Sequence, residues 1–363
     1  MAGIQASDDT AMFEVAAVVD GAGRLTADCA ARARAVIDAQ GLVILTGLLS
    51  EAEADAGLAV IAATIDDPER ARSAFASETD NRYRRRDFCS LPSVPPVLGL
   101  AATLCRRLEG VIGEYCGRSR SLLEITTLTS YLGSSHQYVH RDPTGVISLI
   151  AAVEDVSIEQ GGTVFVPGTH RYGGSEARHG GADEGLTALF RLRCNLRILR
   201  HNLAKLWGMH RGAGAPLAPG EFRDRVFSTR WDQHQPNLLR FLLGKNAEFS
   251  AAMLGPRTLW RMVRRRAMLD DTFRLVRTAP RKGSVIVYRS DLFHAGADNR
   301  SPHPRRVLSL SIARDVVGPK FWADGYAPHP TLVAAPMSFG DLLAYRGGGA
   351  DADVERERVM MAG

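Results

Sequence analysis

Two histidines and one aspartate stand out because their side chains could hold a metal. His140 and Asp142 are separated by a single residue, and His294 lies 154 residues after His140. In an extended segment alternate side chains share one side, so His140 and Asp142 would face the same point in space. Two imidazoles and one carboxylate occupy one face of a ferrous ion and leave the opposite positions open for a co-substrate and dioxygen. The pattern therefore predicts an iron site for oxygen chemistry.

The segments that must position these residues have the composition of β-strands. From residue 122 onward, short runs rich in β-branched and apolar residues alternate with turn residues, which is typical of an antiparallel jelly-roll or cupin-like barrel. In that architecture His140 and Asp142 leave one strand while His294 comes from a strand far along the chain. The runs cover residues 124–132, 146–153, 163–166, 284–288 and 307–312.

The N-terminal hundred residues predict a helix, a strand and a second helix that flank the barrel. Residues 25–39 have helical periodicity, and residues 41–47 are a short apolar run bounded by glycines. Ser50 and Glu53 have the spacing of a capping box, which predicts that a helix follows over residues 52–65.

A third stretch makes the pattern more specific. Residues 159–171 read Glu-Gln-Gly-Gly-Thr-Val-Phe-Val-Pro-Gly-Thr-His-Arg, a glycine turn, a strand and a Pro-Gly turn. Set beside His140, Asp142, His294 and the arginine-containing strand after it, this stretch resembles the phytanoyl-CoA dioxygenase (PhyH) family of Fe(II)/2-oxoglutarate-dependent oxygenases. The resemblance implies a mainly β fold with flanking helices (α+β), whose core is a double-stranded β-helix with a large helical insertion. It covers residues 41–65, 122–171 and 280–315.

The same resemblance assigns roles to individual residues. His140, Asp142 and His294 would be the catalytic iron ligands, with 2-oxoglutarate and O2 as co-substrates. The family has an arginine eleven residues after the distal histidine that pairs with the far carboxylate of 2-oxoglutarate, and Arg305 occupies that position here. A planar guanidinium can bind a carboxylate through two parallel hydrogen bonds. Arg306 is the alternative, although strand alternation turns it to the other face.

Further co-substrate contacts are expected from residues just before the iron ligands. Thr129 and Tyr131 share one side of the preceding strand, where a hydroxyl could reach a carboxylate, and Gln137 could touch the co-substrate or the product. Ordinary strand polarity is the alternative for each. His136 and His170 are better explained as structural residues.

The resemblance also implies the reaction. 2-Oxoglutarate would be decarboxylated to succinate and CO2 while a C–H bond of a small organic substrate is oxidised. Asp142 fills the coordination position that related halogenating enzymes leave open for chloride, so hydroxylation is expected rather than chlorination. Desaturation, epoxidation and ring rearrangement use the same ligands and remain open, as does a catalytically silent binding barrel of the same fold.

Residues 175–279 look like an enlarged, mostly helical insertion or lid between core strands. Leucines at alternating steps of three and four predict a helix over residues 186–207. Packing of this helix on the protein's own core is favoured, and a homodimer through it is the alternative. These leucines are Leu189, Leu192, Leu196, Leu199, Leu203 and Leu206.

Positive charge is concentrated in the insertion. Residues 175–273 contain 17 Lys and Arg against 9 Asp and Glu, whereas the whole chain has a net charge of +5. A basic lid suits an anionic substrate or a thioester, with a solvated helix face as the alternative, and sparse aromatic residues argue against nucleic acid. A second basic cluster over residues 81–88 is expected to be a solvated loop, with contact to an anionic substrate as its alternative.

The chain of 363 residues can form one large domain with an insertion. We expect a flank over 1–121, a divided β-helix over 122–174 and 280–330, and a C-terminal segment with a flexible tail over 331–363. No apolar stretch approaches a membrane span, and the five cysteines are scattered without metal or disulfide spacing. These features predict a cytoplasmic protein with no membrane partner, and the resemblance implies a small-molecule substrate.

Overall fold

Two β-sheets face each other at the centre of the computed structural model, which describes residues 7–65, 86–142, 145–172, 182–211, 273–313 and 328–346. No helix within these ranges is long and apolar enough to cross a membrane. In chain order the strands are β1 (Glu14–Ala16), β2 (Leu42–Thr46), β3 (Arg86–Ser90), β4 (Leu122–Ser130), β5 (Val146–Ala152), β6 (Thr163–Val166), β7 (Val276–Arg277), β8 (Val285–Arg289), β9 (Phe293–Gly296) and β10 (Arg305–Ala313).

The strands form a large and a small sheet. The large sheet has seven strands in the order β1-β2-β8-β5-β10-β4-β3, and the small sheet has three in the order β7-β6-β9. Strands β1 and β2 pair in parallel, and the other pairs are antiparallel. Apolar side chains such as Phe165, Tyr288 and Val307 pack in the space between the sheets. The expected double-stranded β-helix is confirmed.

The N-terminal segment contributes strands as well as helices to this core. Strand β2 lies beside β8 inside the large sheet, and β1 and β3 form its two edges. The predicted capping box is present, because the Ser50 amide donates to Glu53 Oε2 at 2.8 Å and the Glu53 amide donates to Ser50 Oγ at 3.3 Å. The helices of the described chain are α1 (Ala27–Gln40), α2 (Glu51–Ile65), α3 (Pro95–Arg107), α4 (Glu109–Cys116), α5 (Ala182–Arg211), α6 (Pro330–Ala334) and α7 (Phe339–Ala344).

Both sheets are covered on their outer faces. Helices α1 to α4 with α6 and α7 bury apolar side chains against the large sheet, where Leu149, Val287 and Leu310 point outward. Helix α5 packs on the outer face of the small sheet through Phe190 and Ile198. The protein therefore has four layers, and the interior between the two sheets is the place where a site can form.

Helix α5 spans the region predicted to be helical, but its buried face differs from the predicted leucine seam. Leu196 and Leu203 are exposed by 47% and 39%. The stripe that faces the small sheet includes Cys194 with the fully buried Asn195 and Asn202. The prediction is confirmed for Leu192, Leu199 and Leu206, which pack inward, and is wrong for Leu196 and Leu203. The adjacent Asn195 and Asn202 use the buried face for hydrogen bonds, which hydrophobic periodicity does not detect. Much of the basic insertion, residues 212–272, lies outside the described residues.

Candidate active site

The two histidines and the aspartate come together between the sheets. His140 and His294 form a backbone bridge. The His140 amide donates to the His294 carbonyl at 3.0 Å, and the His294 amide donates to the His140 carbonyl at 2.9 Å. Asp142 Oδ2 lies 3.3 Å from His294 Nε2, and Asp142 Oδ1 lies 3.9 Å from His140 Nε2. One ligand atom from each residue falls within 4.8 Å of the others. These three side chains could hold one metal ion.

Backbone carbonyls orient both imidazoles. His140 Nδ1 lies 2.7 Å from the Tyr138 carbonyl oxygen, and His294 Nδ1 lies 2.9 Å from the Leu292 carbonyl oxygen. When each Nδ1 donates its proton to that carbonyl, the lone pair of each Nε2 points toward Asp142. A hydrogen bond of this kind at the other ring nitrogen is how proteins fix a metal-binding tautomer.

The electrostatics of the three groups suit a cation. Burial, aided by the neighbouring His294, lowers the pKa of His140 to about 4, which keeps that imidazole neutral. Burial opposes ionisation of the other two groups, but their mutual attraction outweighs it, so the pKa of Asp142 is lowered and that of His294 is raised. A cation bound between them would replace the proton on His294, and the set of two nitrogens and one carboxylate fits a ferrous ion.

Arg305 lies on the inner face of β10, at the end of the barrel away from Ser311. It shares that face with Val307, which packs between the sheets. Its side chain is 3% exposed, its Nη1 donates to the Gly161 carbonyl and its Nη2 donates to Ser130 Oγ at 3.2 Å. The glycine turn that resembled the family motif therefore contacts the expected co-substrate anchor directly.

A second buried guanidinium lies beside Arg305. Arg86 of β3 pairs with Ser130 of β4, which pairs in turn with Arg305, so the three residues form a row across adjoining strands. Arg86 is 2% exposed and donates from Nε to Ser130 Oγ at 3.2 Å. Burial, together with the charge of Arg86, lowers the pKa of Arg305 to about 9. No acidic side chain of the described chain forms an ion pair with Arg305, so an incoming carboxylate would relieve this repulsion.

Sequence reasoning missed Arg86 as a candidate site residue. The basic cluster over 81–88 was expected to be a solvated loop, and for Arg86 this is wrong, because β3 carries its side chain into the barrel. The sequence of β3 is Arg-Asp-Phe-Cys-Ser, which lacks β-branched residues and gives no strand signal. The basic cluster itself was the signal that could have found it.

The other expected co-substrate contacts lie in different places. Thr129 pairs with Arg306 on the opposite face of β4 from Ser130, and the Tyr131 hydroxyl donates to Asp87 Oδ2 at 2.8 Å. Gln137 Oε1 accepts the amide of Gly296, two residues after His294, at 2.7 Å. This geometry favours Ser130 over Thr129 and Tyr131 as the hydroxyl beside the co-substrate.

The structure also gives contacts for Arg306, the alternative anchor, and for His136 and His170, which were predicted to be structural. The backbone and side chain of Arg306 both bond to Glu154 outside the barrel. His136 is 4% exposed and its Nδ1 bonds to the Gln137 carbonyl at 2.7 Å. His170 Nε2 lies 3.2 Å from the Asp38 carbonyl, so it ties the Pro-Gly turn to α1.

A buried group of hydroxyls occupies the other end of the barrel interior, near the histidines. Ser148 Oγ lies 3.1 Å from Ser290 Oγ and 3.3 Å from Ser311 Oγ. The Ser311 hydroxyl donates to Glu124 Oε1 at 3.4 Å. The Tyr288 ring lies 5.2 Å from the His294 ring, and burial and the charge of Asp142 raise the pKa of this phenol. The interior thus has a cationic end at Arg305 and a hydroxyl-lined end beside the ligand set.

A double-stranded β-helix that brings two histidines and a carboxylate together defines the class of non-haem Fe(II)-dependent oxygenases. Residues 37–189 match the family model of phytanoyl-CoA dioxygenase (PhyH), a segment that includes His140 and Asp142. The predicted resemblance to this family of Fe(II)/2-oxoglutarate-dependent oxygenases is confirmed over that segment. His140 and Asp142 within it and His294 beyond it form a candidate site for the iron that this family uses. A search of curated protein sequences gave no match.

Solved structures of other oxygenases resemble the chain at low identity. The carbocyclase SnoK from nogalamycin biosynthesis has a TM-score of 0.42 and 14% identity, covering 82% of this chain and 87% of its own. The epimerase SnoN from the same biosynthesis has a TM-score of 0.40 and 15% identity, covering 79% and 84%. HygX from Streptomyces hygroscopicus, with nickel and 2-oxoglutarate bound, has a TM-score of 0.40 and 13% identity, covering 83% and 96%. Similarity at this level carries no argument about substrate or reaction.

Proposed function

We propose that this protein hydroxylates a C–H bond of a small organic substrate, with Fe(II) held by His140, Asp142 and His294. The observation that carries the proposal is the convergence of these three ligand atoms within 4.8 Å inside the barrel. Iron and 2-oxoglutarate, when bound, would supply the oxidant. The overall balance is one O2 and one 2-oxoglutarate consumed, one oxygen atom inserted into the substrate, and one succinate and one CO2 released.

The chain's own residues would bind and orient the reactants. Arg305 would take the far carboxylate of 2-oxoglutarate, with Arg86 and Ser130 beside it, because these groups form a buried cationic row in which Arg305 has no acidic partner among the described residues. Gln137 lies three residues before His140 and accepts the Gly296 amide, and from there it would contact the co-substrate or the product. His294 is buried, whereas the His140 and Asp142 side chains are 35% and 31% exposed, so a substrate would reach the ligand set from their side.

Asp142 supports hydroxylation over chlorination. A carboxylate at this position occupies the place that chloride would need, and its two oxygens are already directed at the two histidines. Desaturation, epoxidation or rearrangement would use the same ligand set. We favour hydroxylation because it needs no catalytic group beyond this ligand set. An anionic substrate would suit the positive charge of the insertion.

The first experiment tests whether the ligand set supports turnover. Purified protein with Fe(II), 2-oxoglutarate and O2 should form succinate slowly without substrate, and Asp142→Ala should lower this rate about 100-fold or more because one of three metal ligands is lost. Asp28→Ala is the matched control, because that carboxylate is 85% exposed on α1. Wild-type rates in Asp142→Ala would contradict the assigned ligands.

The second experiment tests the reaction type. Mass spectrometry of reactions with a panel of metabolites should find a product heavier by one oxygen atom, and 18O2 should supply that atom. A product lighter by two hydrogens would indicate desaturation instead, and an unchanged mass would indicate rearrangement or epimerisation. If no succinate forms with any panel compound although at least one of them binds, a silent binding barrel becomes the better explanation.

A further inference from the structure

The segment that carries His140 has an extra residue just before the ligand. Gln137 donates its amide to the Gly296 carbonyl at 2.8 Å, and His140 exchanges two backbone bonds with His294. Between these contacts, Tyr138 and Val139 together stand opposite Ala295 alone, which is the residue count of a β-bulge. We call residues 136–140 the ligand segment.

The bulge has a direct effect on the ligand. It places both Tyr138 and Val139 in the apolar cluster under α5 while His140 faces the barrel interior. It also turns the Tyr138 carbonyl toward His140 Nδ1, at 2.7 Å. The orientation of the His140 ring therefore depends on the conformation of the two bulged residues.

Two asparagines of α5 hold the ligand segment from its outer side. Asn195 Oδ1 accepts the Val139 amide at 2.8 Å, and Asn195 Nδ2 donates to the Val139 carbonyl at 3.3 Å. Asn202 Oδ1 accepts the His136 amide at 3.1 Å, and its Nδ2 donates to the His136 carbonyl at 2.9 Å. A side-chain amide has the same donor and acceptor as a peptide group, so each asparagine replaces a neighbouring strand at one residue.

The spacing of the two asparagines matches the spacing of their targets. Seven residues of helix are about two turns and rise about 10 Å, so Asn195 and Asn202 project from the same face. Three residues of extended chain also span about 10 Å, which is the separation of Val139 and His136. Both asparagines are fully buried, where an unsatisfied amide would be costly. The pair therefore fits only one register of α5 on the ligand segment.

A second contact fixes the same register. Lys205 Nζ, one turn beyond His201, donates to the Ser134 carbonyl at 2.8 Å and lies 3.1 Å from Asp298 Oδ2. His201 Nε2 lies 3.2 Å from the same carboxylate oxygen. Asp298 follows β9, so α5 is tied to both chain segments that carry the histidine ligands.

We propose that Asn195 is a positioning residue of the iron site: it fixes the bulge at Tyr138 and Val139 and thereby orients His140 for metal binding, while Asn202 fixes the register of α5. This inference rests on the proposed iron site. It makes α5 part of the metal site although it lies outside the barrel. Groups that orient a metal ligand typically contribute 10- to 100-fold to metal affinity.

The test measures metal affinity, separately from turnover. Metal-free protein is titrated anaerobically with Fe(II) in the presence of 2-oxoglutarate, and the charge-transfer absorption of the chelate is followed. Asn195→Leu and Asn195→Asp should raise the Fe(II) dissociation constant about 10- to 100-fold. Leucine removes both hydrogen bonds, whereas aspartate keeps the acceptor for the Val139 amide and places a negative oxygen against the Val139 carbonyl. Asn202→Leu should have a smaller effect, because His136 is four residues from the ligand.

Ile198→Ala is the matched control. Ile198 is fully buried on the same face of α5 and makes no hydrogen bond to the ligand segment through its side chain. It should lower the thermal midpoint at least as much as the Asn195 variants while leaving the Fe(II) dissociation constant unchanged. If Ile198→Ala weakens metal binding equally, or if both folded Asn195 variants bind Fe(II) as the wild type does, the inference fails. If the wild type binds no Fe(II), the proposed function fails first.

Discussion

At the scale of single residues, Arg305 and Arg306 have opposite surroundings although they are neighbours in the chain. Arg305 is buried in the barrel with Ser130 and the Gly161 carbonyl, whereas Arg306 bonds to Glu154 on the outer side. Alternation along β10 sends one guanidinium toward the co-substrate end of the interior and the other away from it. Binding of a carboxylate should therefore depend on Arg305 and not on Arg306.

Arg305→Leu should raise the KM for 2-oxoglutarate about 10- to 100-fold, because charge-assisted hydrogen bonds to its carboxylate are lost. Arg86→Leu should act in the same direction through the shared row with Ser130. Arg306→Leu is the matched control and should change the KM by less than about threefold. The measurement is succinate formation against 2-oxoglutarate concentration. A large effect of Arg306→Leu with none from Arg305→Leu would show that the register of β10 is shifted by one residue.

At the scale of elements, the strands with strong patterns were predicted and the irregular ones were not. The runs that form β4, β5, β6, β8 and β10 agree with the structure to within a few residues, because their β-branched residues and flanking turns are local signals. The bulge before His140 and the short strand β3 depend on partners far along the chain. The candidate iron ligands and Arg305 were predicted from their spacing together with the resemblance to the PhyH family, whereas Arg86 and Asn195 needed the tertiary structure.

The two glycines just before β6 lie against other backbone segments, Gly161 against Asp298 and Gly162 against Thr278, and a side chain would not fit at either position. A Cβ atom at Gly162 would lie 1.6 Å from the Thr278 carbonyl oxygen, so β6 and the chain after β7 would have to separate. This close approach explains why the Gly-Gly pair precedes the strand that contacts Arg305.

Gly162→Ala should lower the free energy of unfolding by about 3 kcal/mol or more, because backbone atoms must move. Gly168→Ala is the matched control: its φ of 80° is unfavourable for alanine, but nothing lies within 4 Å of the new Cβ. Gly168→Ala should lower the free energy of unfolding by only about 1–2 kcal/mol. Urea denaturation of both variants measures the difference. Equal costs would show that the strands at Gly162 can separate easily.

At the scale of the whole molecule, four layers bury several histidines, and this makes stability depend on pH. Burial lowers the pKa of His136 to about 4, and the groups that face it are Asp298, His201 and Arg86. The ordinary value is 6.5, so the unfolded chain takes up a proton at a higher pH than the folded protein does. The contribution of neutral His136 to stability is therefore complete above the unfolded pKa and is lost as the pH falls toward 4.

Metal-free protein should lose about 2 kcal/mol of stability through His136 alone between about pH 7 and pH 5. His136→Gln should remove that part of the loss, because glutamine does not titrate. His303→Gln is the control, since His303 is exposed to solvent. Chemical denaturation at a series of pH values measures the slopes. If the slope of His136→Gln equals that of the wild type, His136 does not carry this dependence.

The position of α5 has a consequence beyond metal binding. Among the described residues, the ligand segment is the last strand-like element on its side of the small sheet, beyond β9. Exposed strand edges are templates on which another chain can add a strand, and such pairing leads to aggregation. The amides of Asn195 and Asn202 occupy the backbone groups at Val139 and His136 that a foreign strand would use. Helix α5 should therefore prevent a foreign strand from pairing with the ligand segment just before His140.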